Sequence, residues 1–171
     1  MSTTGEPATV RDTPEYQQIQ NDELFHEWVR MQQEAMENEF VRVDVPELDG
    51  HLWTREGLVI AEHEMLRRYS HFDEMAAEEN LELGVRFIYF IGETFRRALE
   101  GRWALLPPNP PERPDPLCVI DSPMWTAFHE PTHMSELAFD RRTGKEISWI
   151  FDRTVKRHQK WIAAGRPARG S

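Results

Sequence analysis

The chain has 171 residues, 39% of them hydrophobic and 29% charged, with a formal net charge of −10. A domain of this length buries about two-thirds of its unfolded surface and needs no disulfide or cofactor to fold. Cys118 is the only cysteine, which excludes a disulfide framework. No apolar run approaches the roughly 20 residues that cross a bilayer, and no concentrated basic patch offers nucleic acid a footing, so neither is an expected partner.

Charge divides the chain. Residues 12–83 carry nineteen acidic side chains against five basic ones, and residues 84–171 carry ten against fourteen. An acidic front half suits a protein that meets a partner with a basic surface, because complementary potentials steer encounter. Acidic helices also serve plain solubility.

Residues 1–13 read as a disordered leader, rich in Ser, Thr, Gly and Pro. They show neither the basic nor the apolar region of a secretory signal, so the expected location is cytoplasmic. Residues 14–163 form a single globular domain in this reading, and 164–171 a flexible tail. Pro14 suits the first turn of a helix with Thr13 as its N-cap. Tyr16, Ile19, Phe25, Trp28, Val29, Gln32 and Met36 then continue one apolar stripe, with Glu23, Glu27, Glu34 and Glu37 mostly off it. Phe40 to Val45 alternates apolar and charged residues, which predicts a short strand or extended connector ended by Pro46.

Thr54 is the N-cap of a second helix, with Leu58, Ala61, Met65 and Tyr69 on one face and Arg67 and Arg68 in its last turn. Asp73 can cap the segment that leads into the most apolar stretch, about residues 80–100. There Gly84, Ile88, Ile91, Phe95 and Leu99 share a face that Phe87 and Phe90 widen. Gly84 and Gly92 point to close approach by a neighbour, and Gly101 suits a left-handed helix end.

Two short runs, 102–106 and 117–121, pair as an antiparallel hairpin across a proline-rich loop at 107–116, a stiff connector that could also dock on a partner. A short helix over 134–142 and a last one from about Lys145 complete the chain, the latter with Ile147, Ile150, Phe151, Thr154, Val155, His158, Trp161 and Ile162 on one face. The fold class is α+β and mainly helical, with four or five helices around the 80–100 helix.

His129-Glu130-Pro131-Thr132-His133 matches H-E-x-x-H. In zinc hydrolases a continuous helix sets both histidines one turn apart beside a general-base Glu. Pro131 opposes that geometry, since proline removes a helical hydrogen bond and turns Glu130 away from helical angles. A third ligand would have to be Glu136, Glu146 or His158, none at a diagnostic spacing. The alternative is a polar helix-entry loop. Glu62, His63, Glu64, His71 and Asp73 form a second His/acid group, which on an acidic helix reads as solvated surface. Glu93 and Arg97 sit one turn apart with Arg96 beside them, an ion pair at the edge of the central helix. Cys118 lies between apolar residues and behaves as a small hydrophobe. No phosphate loop, nucleophile elbow or dinucleotide fingerprint is present. No catalytic, cofactor-binding or metal residue is therefore assigned.

The run from Tyr89 to Trp103 reads aromatic-x-x-Gly92-Glu93-x-x-Arg96, then Gly101-x-Trp103 and a strand. Over about residues 54–125 the chain resembles small uncharacterised bacterial proteins of actinobacterial type, several of which look like immunity or accessory proteins encoded beside secreted toxins. The resemblance implies a shared helix–strand scaffold and a protein partner, and carries over no catalytic residue. The acidic N-terminal helix, the proline loop and the 129–133 string depart from that pattern. The leading expectation is a non-enzymatic protein-binding module of the immunity or accessory kind, whose acidic surface meets a basic partner. The rivals are a metal-dependent hydrolase using His129, Glu130 and His133, and a structural or oligomerising module.

Overall fold

The computed structural model describes residues 9–170. The Thr13 hydroxyl accepts the Tyr16 amide at 3.2 Å and Pro14 opens α1 (Pro14–Ile19), as the missing proline N–H favours. The stripe from Tyr16 to Met36 does not continue as one helix. Asp22 accepts the amides of Leu24 and Phe25 at 2.8 and 3.3 Å, so that α2 (Glu23–Ala35) starts afresh.

The strand expected over 40–45 is helical instead. Met36–Asp44 is a π-helix, closed by the Val45 amide donating to the Phe40 carbonyl at 2.7 Å. Met36, Phe40 and Val45 are all fully buried. Their spacing of four and then five residues fits the wider turn of an i→i+5 helix. An extended chain would have set Phe40 and Val45 on opposite faces. Burial overrode the local alternation.

Thr54 accepts the Gly57 amide at 3.0 Å and starts α3 (Arg55–Arg68), which buries Leu58, Ala61 and Met65. The cap of α4 (Phe72–Met75) is His71, whose Nδ1 accepts the Glu74 amide at 3.2 Å, while Asp73 stays exposed. α5 (Leu81–Ala98) follows, with Phe87, Phe90, Ile91 and Phe95 fully buried. A Cβ on Gly84 would lie 2.7 Å from the Met75 carbonyl oxygen, and one on Gly92 only 2.2 Å from the Trp103 ring. Both glycines permit close packing. The left-handed residue after α5 is Glu100 (φ 53°), not Gly101. Gly101 instead makes room for the Ile120 side chain.

β1 (Arg102–Leu106) and β2 (Leu117–Asp121) pair antiparallel with Trp103 opposite Ile120, as the two apolar runs predict. Their connection folds back on itself through paired backbone hydrogen bonds of Asn109 and Arg113. α6 (Pro131–Arg141) and α7 (Glu146–Ala163) end the domain. Among the described residues there are seven α-helices and one two-stranded sheet, an α+β architecture. α3 and α6 pack on α5, and α7 packs on α3 and α6.

Candidate functional site

Most internal carboxylates are occupied by the fold. Glu93, buried on α5, accepts from Arg96, from Arg97 Nε at 3.0 Å and from the Trp103 indole at 3.1 Å. Burial alone would raise its pKa, but these donors outweigh it and hold the carboxyl below the usual range. Tyr89 stacks on Trp103 with ring centres 5.1 Å apart, and Trp28 meets both edge-on. The Gly92-Glu93…Arg96…Trp103 pattern is therefore a sealed helix–strand clasp. Asp121 is likewise buried and takes Arg11, Arg102 and Arg169, at 2.9, 3.3 and 2.6 Å. Residues of the expected leader and the expected tail thus converge on one carboxylate.

The second His/acid group is not a solvated surface throughout. Glu62 is fully buried and its carboxylate accepts the amides of Glu146 and Ile147 at 3.1 and 2.7 Å. It caps α7 from α3, where unpaired first-turn amides and the helix dipole favour a negative charge. His63 meets the Gly144 carbonyl at 3.1 Å, Glu64 pairs with Arg67 and Arg68, and Asp73 makes no such contact among the described residues. Burial pushes the Cys118 thiol up to about 11, so it is no nucleophile at neutral pH.

Pro131 opens α6, so His129 and Glu130 precede the helix and His133 stands in its first turn. His129 lies in extended backbone, exchanging both of its backbone hydrogen bonds with Ile120 at 2.8 and 3.0 Å. The two histidines do not share a helical face, and His133 turns to Glu136 at 3.4 Å. Among the described residues no group of three His, Cys, Asp or Glu side chains is placed to hold a metal ion. The string lies instead along a groove of about 750 Å³ between α6, α7 and residues 125–130. His129 is 5% exposed and its Nε2 has no hydrogen-bond partner. Burial drives its pKa down to about 4, against the pull of the Asp121 carboxylate and with the push of the Arg157 cation.

The acidic face has a different character. α2 exposes Leu24 (76%) and Met31 (56%), seven residues and two turns apart on its outer side. Glu23, Glu27 and Glu34 flank them and Glu37 follows, all exposed, and none takes part in an ion pair among the described residues. By contrast Glu64, Glu82, Glu93 and Glu146 each hold an arginine.

No protein family, curated protein or solved structure matches the chain. Among the described residues no helix is long and apolar enough to cross a membrane. Sequence periodicity missed the capping role of Glu62 although its position, four residues after Leu58, lies on the buried face. The groove had no linear signal beyond the basic and aromatic spacing of α7.

Proposed function

We propose that the chain is a non-enzymatic, cytoplasmic protein-binding module that takes a partner with a basic surface on the outer face of α2. The reading is of the immunity or accessory kind, in which a small acidic protein neutralises a toxin encoded beside it. One observation carries it: Leu24 and Met31 stand exposed amid acidic side chains that have no ion-pair partner among the described residues. Exposed apolar side chains anchor interfaces through burial, worth about 25 cal/mol per Å² removed from water. Unpaired carboxylates around them speed encounter with a cationic surface and reject acidic ones.

Co-expression with the product of the adjacent gene, followed by isothermal titration of the purified pair, tests this reading. The expected result is a stoichiometric complex whose affinity falls as salt rises. A neighbouring product that forms no complex, or one whose affinity is indifferent to salt, argues against it.

A further inference from the structure

The basic side chains of α7 mirror the acidic ones of α2 and stand apart from them. Trp149, Arg153, Lys156, Arg157 and Lys160 recur at helical spacing, so they share one face along the α6–α7 groove. All five are exposed. Whereas Arg55, Arg86, Arg96, Arg97 and Arg141 each hold a carboxylate, none of these four cations does so among the described residues. In a chain of net charge −10, four uncompensated cations on a single face are a local exception.

The cations are joined to aromatic rings. The Arg153 guanidinium lies 4.6 Å from the Trp149 ring centre, and that of Arg157 lies 4.2 Å from Trp125 across the groove. Stacking holds each guanidinium plane while leaving its edge donors for a carboxylate, the bidentate geometry that arginine favours. His129 adds a buried, neutral imidazole whose Nε2 lacks a partner. Such a group is costly to leave unsatisfied.

Length selects the occupant. Trp149 to Lys160 spans roughly 16 Å at the α-helical rise, the reach of about five residues of extended chain. A single small anion would engage only part of that row. A nucleic acid strand carries a charge at every unit, whereas Glu130 and the Trp125 and Trp149 rings in the groove favour an occupant whose charges alternate with apolar groups. We infer that the α6–α7 groove binds an extended acidic peptide segment of about five residues, with carboxylates on the Arg153–Lys160 row and apolar side chains against Trp125 and Trp149.

The test is a titration, followed by tryptophan fluorescence and calorimetry, with an acetylated and amidated five-residue peptide alternating glutamate and phenylalanine. Its lysine-for-glutamate counterpart and an eight-nucleotide oligothymidylate serve as comparison probes. The wild-type chain should bind the acidic peptide saturably and more tightly than it binds the lysine peptide. The Arg153→Glu/Arg157→Glu variant should bind it about tenfold more weakly or worse. The Arg30→Glu/Arg42→Glu variant, which makes the same change in net charge away from the groove, should bind like wild type. Absence of saturable binding, equal weakening in both variants, or tighter binding of the oligothymidylate would each overturn the inference. None of these outcomes bears on the α2 face.

Discussion

His129 shows how one residue can be legible as an identity and illegible as an environment. Its place in an H-E-x-x-H string pointed to metal chemistry, and Pro131 was the signal against a helical pair. What the string could not reveal is that the backbone of His129 bridges to Ile120 and that its ring is buried. Burial depresses the folded-state pKa to about 4 from an ordinary value of 6.5, so the unfolded chain binds the proton first. Stability from this group is complete above pH 6.5 and is lost as pH falls towards 4, by about 3 kcal/mol in total. His129→Phe keeps a planar aromatic ring at this position and removes that titration. Urea denaturation of the variant should show a fall between pH 7 and pH 4.5 smaller than that of wild type by about 2 kcal/mol; parallel pH profiles would refute the burial assignment. Gly92 offers a second check at this scale. A methyl group there meets the Trp103 ring at 2.2 Å, so Gly92→Ala should lower stability by about 1–3 kcal/mol and disturb the near-ultraviolet signal of the Tyr89–Trp103 stack.

At the scale of elements, the capped and strongly periodic pieces were readable: Thr13 before α1, Thr54 before α3, the apolar α5, and the hairpin on either side of the proline loop. The failures share a cause. The period-two alternation of 40–45 is a local pattern, whereas Met36, Phe40 and Val45 are jointly buried by other elements, which selected a π-helix. The cap of α7 was unreadable because its carboxylate, Glu62, comes from a helix more than eighty residues earlier. That contact predicts coupling between α3 and α7. Glu62→Ala should destabilise the domain by about 2 kcal/mol, the upper range for a lost cap, and should speed hydrogen exchange at the Glu146 and Ile147 amides in particular. Unchanged exchange there would mean that the carboxylate does not cap α7.

At the scale of the molecule, pairing is the organising fact. Buried carboxylates are matched by arginines or by helix amides, so fold and charge are settled together inside. Among the described residues, charges without an ion pair include an acidic, partly apolar face on α2 and a basic, aromatic face on α7. The acidic bias was plain in the sequence, but composition spreads it over some seventy residues. The exposure of Leu24 and Met31 narrows it to one helix face. The measurement that tests the proposed partner surface most directly is the affinity of the adjacent gene's product for wild type and for a Glu27→Lys/Glu34→Lys variant, compared at low and moderate salt. The α2 reading predicts a loss of about tenfold or more at low salt, shrinking as salt screens the charges. Wild-type affinity in the reversed variant at both salts would contradict it.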